Sequence, residues 1–265
     1  MPVRLIATDL DGTLFDRDHR PSSRTAAAVN AAREAGIRMV AVSGRSHFGG
    51  AELAVSTGAR LEWFIGSNGG HRLHYETGVL EERLEFPAEL VDELFEALPD
   101  LVGPVGFGWE LEDDIVFDPR FVELSPISIH GTPRVSARST PEGLTGVGKI
   151  FVAHPEITTR DLVDHVRPHV GDDTIVTTSG ATFVEITPVG ADKASGLARL
   201  CQLLGIEAGE VVAFGDNQND LTMLAWAGRG IAMGNASVEV RDAADEVTGS
   251  NVDHGVARVI EEILA

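Results

Sequence analysis

One cysteine in 265 residues leaves no intrachain disulfide framework to hold this chain together. That residue, Cys201, lies in the apolar helical stretch from Leu197 to Leu204, where a small buried thiol is the expected role. Basic residues are also scarce: 21 Lys and Arg stand against 41 Asp and Glu, a formal net charge of -20. A surface of that sign opposes a phosphate backbone, so nucleic acid is excluded as a partner, and the acid excess itself reads as a well-hydrated surface. Long apolar runs are absent. The start, Met1-Pro2-Val3-Arg4-Leu5-Ile6-Ala7-Thr8-Asp9, is too short in apolar residues for a signal-peptide core, and no later run approaches a membrane span. A cytoplasmic protein with no membrane and no protein partner is expected. What is present is 43% apolar residues, material for one large or two modest cores.

Two acidic strings stand at opposite ends of the chain, Asp9-Leu10-Asp11-Gly12-Thr13 and Gly215-Asp216-Asn217-Gln218-Asn219-Asp220, each directly after a compact apolar run. Leu5 to Thr8 and Val211 to Phe214 read as buried strands, so both acid sets emerge at carboxyl ends of strands, where open α/β sheets place their sites. From Val3 to Gly70 the pattern alternates strand and helix. Ser22 or Ser23 caps a helix ending at Gly36, Ile37 to Val42 reads as the next strand, and Trp63 to Gly66 as a third, followed by the turn residues Ser67-Asn68-Gly69-Gly70. The middle of the chain carries more Pro and Gly and shorter strands. It ends in a hairpin signal, Thr174 to Thr178, then Ser179-Gly180, then Ala181 to Ile186. The α/β alternation resumes near Pro188. The expected fold is therefore α/β: a parallel-sheet core built from residues 1–83 and 188–265, with an α+β domain inserted over 84–187.

Asp9 and Asp11 lie two positions apart on a strand end, so their side chains start on one side and reach one small space. Crowded carboxylates repel and persist only with a cation or a shared proton. Oxygen-only ligands of this kind suit Mg²⁺, which combines a few carboxylates with water and substrate phosphate. Ser43 after the second strand offers a hydroxyl, Lys193 at a helix start a mobile cation, and Asp216 and Asp220, with Asn219 between, follow another strand. Each has a plainer role as cap, surface lysine or turn acid, but their joint order beside strand and helix starts argues for one site. His71 and His74 fit no zinc ligand set, and Gly228-Arg229-Gly230 does not continue into a dinucleotide fingerprint.

With these motifs the chain resembles a haloacid dehalogenase superfamily phosphatase of the Cof-like branch, whose large cap (class II, subclass IIB) is inserted between the second and third motifs. Asp9-Leu10-Asp11-Gly12-Thr13 resembles the first motif, Ser43-Gly44-Arg45 the second, Lys193 the third and Gly215 to Asp220 the fourth. Ala232-Met233-Gly234-Asn235-Ala236 and Asp253-His254-Gly255-Val256 are also similar to that branch. Ala194 and Gly70 depart from it, and neither is a reacting side chain. The resemblance implies a Rossmann-like core and Mg²⁺-dependent hydrolysis of a small phosphorylated metabolite. Asp9 would be the nucleophile that forms an aspartyl-phosphate, and Asp11 the acid and then the base. It implies a metal on Asp9, the Asp11 backbone carbonyl and Asp216, with Asp220 in the shell behind. Ser43 and Lys193 would hold phosphoryl oxygens, Gly44 would supply a backbone donor, and Asn219 would orient Lys193 or touch the phosphate. Arg45 is a candidate for substrate binding or for pairing with an acid.

A phosphotransferase or mutase would use the same aspartyl-phosphate but needs a second phosphate cluster. The inserted region has only the scattered Arg120, Arg134, Arg138 and Lys149. A phospho-receiver or phosphate-binding module would be smaller, uninterrupted and without a second acid placed like Asp11. The substrate is expected to be set by the inserted domain, with a sugar phosphate first and a phosphorylated cofactor behind it. There Trp109 to Asp114 forms an acidic run that reads as a solvated face, and Ser179-Gly180 as a plain turn.

Overall fold

Leu5–Thr8 is buried at all four positions, as a strand covered on both faces must be. The computed structural model that shows this describes residues 2–47, 49–50, 58–125, 135–137, 139–179 and 181–265. The elements begin with β1 (Leu5–Thr8), α1 (Ser23–Glu34), β2 (Arg38–Val42), β3 (Trp63–Gly66), β4 (His71–His74) and β5 (Val79–Arg83). Next come α2 (Ala88–Val102), β6 (Gly106–Glu110), β7 (Ile115–Phe117), α3 (Pro119–Leu124), β8 (Val135–Ala137), β9 (Lys149–Ala153), α4 (Thr159–Val166), β10 (Thr174–Thr177) and β11 (Val184–Pro188). The chain then adds α5 (Lys193–Leu204), β12 (Val211–Gly215), α6 (Leu221–Trp226), β13 (Arg229–Ala232), α7 (Val238–Ala243), β14 (Glu246–Val247) and α8 (Gly255–Leu264). It divides into two compact units, Met1–Glu82 with Asp192–Ala265, and Arg83–Ala191.

The first unit is built on an eight-stranded sheet of order β14-β13-β12-β1-β2-β3-β4-β5. Its strands run parallel from β14 to β3, and β4 returns antiparallel to β3. Alternation along each strand sorts the apolar residues between two cores. Ile6, Met39, Phe64, Val212 and Phe214 pack with Val29 of α1 and Val256 and Ile260 of α8. Leu5, Ala7, Val40, Ile65 and Val211 pack with Leu197 and Leu200 of α5 and Met223 of α6. The chain winds outward from β1 in one direction through β2 and β3, and in the other through β12 to β14. The crevice between the carboxyl ends of β1 and β12 is therefore a topological switch point. Helix α1 is capped by Ser22, whose hydroxyl accepts the Thr25 N–H at 3.1 Å, and Gly36 beyond it takes the left-handed φ of 87°.

The second unit carries a six-stranded sheet of order β10-β11-β9-β6-β7-β8. It is antiparallel except where β8 joins β7 in parallel. Its core sets Val91, Leu94 and Leu98 of α2 and Leu162 and Val166 of α4 against Phe107, Trp109, Ile150, Val152 and Ile186.

Two sequence expectations change here. The β10–β11 pairing sets Thr177 opposite Glu185, so the connection is longer than the two-residue turn expected at Ser179-Gly180, and Gly180 lies outside the described residues. Trp109 and Glu110 are fully buried, because they belong to β6, while Glu112 and Asp113 are exposed before β7; the run is thus a hairpin and not a solvated face. Lys149 is buried between Glu110 and Glu185, at 3.4 and 3.2 Å. Arg134 and Arg138 lie outside the described residues. Among the described residues no helix is long and apolar enough to cross a membrane.

Candidate active site

The site forms where β1 and β12 end side by side. Asp9 follows β1 with its N–H donated to the Phe214 carbonyl at 3.0 Å, so the first acid is tied to the strand that delivers the second set. Gly12 turns the chain at φ 86°, and a Cβ there would lie 2.4 Å from an Asp216 carboxylate oxygen. Only glycine allows both the left-handed backbone and that approach. Thr13 is buried, and its hydroxyl donates to Asp216 Oδ1 at 2.7 Å.

Lys193 opens α5 and is drawn inward; it is not the surface lysine of the plainer reading. Its Nζ donates to Asp9 Oδ1 at 2.6 Å and to Asp220 Oδ1 at 2.5 Å, with the ammonium side chain fully buried. The helix start is fixed by Asp192, whose carboxylate accepts the Ser195 N–H at 3.0 Å. Gly69 lies close against it, since a Cβ there would meet the Asp192 carbonyl oxygen at 2.1 Å.

Asp220 uses its other oxygen to accept the backbone N–H groups of Asp216 and Asn217, each at 2.9 Å. It therefore fastens the loop after β12 and holds Lys193. The carboxylates of Asp9, Asp216 and Asp220 lie within 4.8 Å of one another, a group able to hold a metal ion among the described residues. The Asp11 side chain is not in that group.

The electrostatics follow from burial and crowding. Burial raises the Asp9 carboxyl well above its ordinary range; Lys193 works against this, and the Asp220 and Asp216 charges add to it. Burial pushes Asp216 up to about 6, opposed by the Thr13 hydrogen bond and reinforced by Asp220. Lys193 stays charged: burial disfavours the ammonium, but Asp220 and Asp9 outweigh it and raise its pKa. Four carboxylates, Asp9, Asp11, Asp216 and Asp220, face the fixed cations Lys193 and Arg45. An all-oxygen cluster short of positive charge is a fit for a hard divalent cation.

Asp11 has a different environment. It is half-exposed and held by Arg45, Nε to Oδ2 at 2.5 Å and Nη2 to Oδ1 at 2.7 Å, with His19 Nδ1 3.0 Å from Oδ1. Burial would raise its pKa, but the Arg45 and His19 contacts outweigh that and lower it. Arg45 is thus paired with an acid of the site itself.

Ser43 is buried after β2, donates its N–H to Ile65 O at 2.8 Å and accepts the Arg45 N–H on its hydroxyl at 3.2 Å. Gly44 stands between these two. Asn219 was expected to orient Lys193 or touch phosphate; its side-chain amide instead donates to Asn68 Oδ1 at 2.9 Å. Asn68 in turn donates its N–H to the Ser43 carbonyl at 3.0 Å, linking the loops after β2, β3 and β12. Its left-handed φ of 56° is a position asparagine tolerates better than most residues. Sequence reasoning gave Asn68 only a turn role and passed over His19. The signal for Asn68 was a polar residue directly after an apolar strand; for His19 there was none.

His71 is buried beside His47, with ring nitrogens 3.2 Å apart, and His74 packs edge-on against Trp63. Among the described residues neither belongs to a group able to hold a metal.

A doubly covered parallel sheet with acids and a buried lysine at its switch point defines a Rossmann-like enzyme core. The chain matches the model of the haloacid dehalogenase-like hydrolases over residues 6–260 and belongs to that family. It is a phosphatase by class, a phosphoric monoester hydrolase. It is 29% identical to phosphatase YwpJ of Bacillus subtilis over 99% of this chain and 100% of that one. It is 26% identical to the 5-amino-6-(5-phospho-D-ribitylamino)uracil phosphatase YcsE of the same organism, over 97% and 94%. A solved haloacid dehalogenase-like hydrolase from Bacteroides thetaiotaomicron superposes with a TM-score of 0.79 at 30% identity, covering 98% of this chain and 99% of that one.

Proposed function

We propose that the chain hydrolyses a small phosphorylated metabolite, a sugar phosphate or related polyol phosphate, in a Mg²⁺-dependent reaction through an aspartyl-phosphate on Asp9. The observation that carries this is Lys193 bridging Asp9 and Asp220 with Asp216 in the same cluster. Asp9 is the nucleophile, because it sits at the end of β1 with one carboxylate oxygen held by the buried Lys193. Asp9, the Asp11 backbone carbonyl and Asp216 would hold the metal, with Asp220 supporting them. The ion supplies charge neutralisation between phosphate and carboxylate when bound. Lys193, Ser43 and the Gly44 N–H take phosphoryl oxygens, and Asn219 supports that loop through Asn68. Asp11 protonates the departing alcohol, then accepts a proton from the water that attacks the phosphorylated Asp9. The unit Arg83–Ala191 is the specificity domain. The ribityl phosphate named for YcsE supports a polyol phosphate as the substrate class.

The test is phosphate release from a panel of phosphorylated metabolites, with and without Mg²⁺, beside Asp9→Asn as the blank. Metal-dependent release lost in the variant supports the reading. Release that persists in Asp9→Asn refutes the nucleophile, and transfer to an added sugar without free phosphate would make the protein a phosphotransferase.

A further inference from the structure

The roles above leave His19 without a task, yet the chain builds a turn to present it. Asp16 donates its N–H to Arg20 O at 3.0 Å, and its Oδ1 accepts the N–H groups of Asp18 and Arg20 at 2.9 and 3.2 Å. His19 donates its own N–H to Asp16 O at 3.1 Å. The turn braced in this way holds His19 at φ 56°, a region that non-glycine residues seldom occupy and that often marks a functional position.

The outcome of that conformation is a ring nitrogen placed on Asp11. His19 Nδ1 is 3.0 Å from Asp11 Oδ1 and 3.2 Å from Arg45 Nη2. One imidazole nitrogen cannot donate to a carboxylate and accept from a guanidinium at once. Arg45 already places two N–H groups on Asp11, so donation from Nδ1–H to Oδ1 is the arrangement that leaves no two acceptors facing each other. The carboxylate is then held from two directions, by a forked guanidinium and by a ring carried on a separate turn. The guanidinium fork is suited to any oxyanion, including a phosphoryl group. When an incoming phosphate competes for Arg45, His19 is the contact that remains.

We infer that His19 is a positioning residue for Asp11, aiming its carboxylate at the leaving-group oxygen through the Nδ1–H hydrogen bond. This rests on the reading of Asp11 as the group that handles the leaving-group proton. It predicts a dependence on the leaving group, because an alkyl alcohol needs that proton and p-nitrophenolate does not.

The experiment compares kcat with Mg²⁺ for the best alkyl phosphate of the panel and for p-nitrophenyl phosphate, in wild type, Asp11→Asn, His19→Gly and His19→Asn. Glycine relaxes the left-handed backbone but removes the donor; asparagine tolerates the same backbone and sets an amide N–H near the place of Nδ1. The expected result is an alkyl-ester kcat lowered about tenfold in His19→Gly, a fraction of a full general-acid effect. The aryl ester should change less than about twofold, and His19→Asn should recover most of the loss. Equal losses on both esters, or no loss in His19→Gly, would overturn the inference. If Asp11→Asn separates the two esters and His19→Gly does not, only the role of His19 falls. If Asp11→Asn fails to separate them, the reading of Asp11 falls and takes this one with it.

Discussion

Replacing Lys193 by methionine tests whether the site is held together by a buried cation. The ammonium is fully buried and bonded to Asp9 at 2.6 Å and Asp220 at 2.5 Å, with Asp216 in the same cluster. Methionine preserves most of the packing of the stem but leaves three carboxylates crowded without their cation. Breaking one partner out of a buried pair costs about 3–5 kcal/mol. Protonation of Asp9, already favoured by its burial, holds the loss within that range instead of doubling it. A domain of ordinary stability, about 5–15 kcal/mol, would lose a fifth or more. Urea unfolding at pH 7.5 in EDTA, followed by circular dichroism, reads the loss as a lower midpoint at constant slope. Two further measurements separate electrostatics from packing. Mg²⁺ should return part of the stability to Lys193→Met, because on the proposed reading it would bind the folded form and not the unfolded chain. Adding Asp220→Asn to Lys193→Met should make the double variant more stable than the single one. A loss under about 1 kcal/mol, well below the buried-pair range, or a double variant no better than the single, would refute the reasoning.

Asp9→Asn should abolish turnover while leaving the fold and melting temperature at least as high as wild type, since it removes the proposed nucleophile but relieves repulsion; phosphate release and thermal unfolding measure the two. Gly12→Ala should cost about 1–2 kcal/mol from the left-handed backbone alone and lower activity further through the contact with Asp216, read by unfolding and by kcat. Cys201, buried and with its thiol pushed up to about 12 by that burial, should resist a disulfide reagent at pH 8 until the protein is unfolded in urea. Asp216 should set a pH dependence of stability in metal-free buffer. Between its ordinary 3.8 and about 6 the folded protein keeps a proton that the unfolded chain has lost, so stability falls as pH rises through that window. The difference in melting temperature between wild type and Asp216→Asn should follow that slope from pH 4 to 7, and a flat difference would contradict it.

How much of this was legible depends on whether the signal was local. β1 and β12 are continuous apolar runs, and a strand buried on both faces can have no other pattern, so their ends located both acid sets. β4 and β5 were missed because His71–His74 and Val79–Arg83 are half-buried and mostly polar, which leaves no periodicity to read. The antiparallel pairing of β10 and β11 was legible, and the misjudged loop length at Ser179-Gly180 has a similar origin. Turn residues mark where a chain can reverse, but the register that decides the loop length is set by cross-strand partners such as Thr177 and Glu185. Asn219 shows the limit inside the site: the sequence placed it beside the acids, but its amide is taken by Asn68, 151 positions away. No spacing rule reports a pairing of that range. The Arg45 fork on Asp11 is of the same kind.

Asp9 and Asp11 stand two residues apart and are treated in opposite ways, one buried and raised, the other half-exposed and lowered. A nucleophile followed by a general acid needs the reverse, a charged Asp9 and a protonated Asp11. The causes of the two shifts say what inverts them. Asp9 is raised by burial among carboxylates, so a divalent cation held by Asp9 and Asp216, as proposed, would restore its charge. Asp11 is lowered chiefly by Arg45, with His19 adding to it, against the pull of burial, so on the proposed mechanism an anion that draws Arg45 away would remove the larger part of that lowering. On that mechanism, the cation and the phosphorylated substrate would each correct one member of the pair. On the proposed mechanism, a pair of acids so close in sequence holds opposite roles because each would answer to a different ligand, Asp9 to the metal and Asp11, through Arg45, to the substrate.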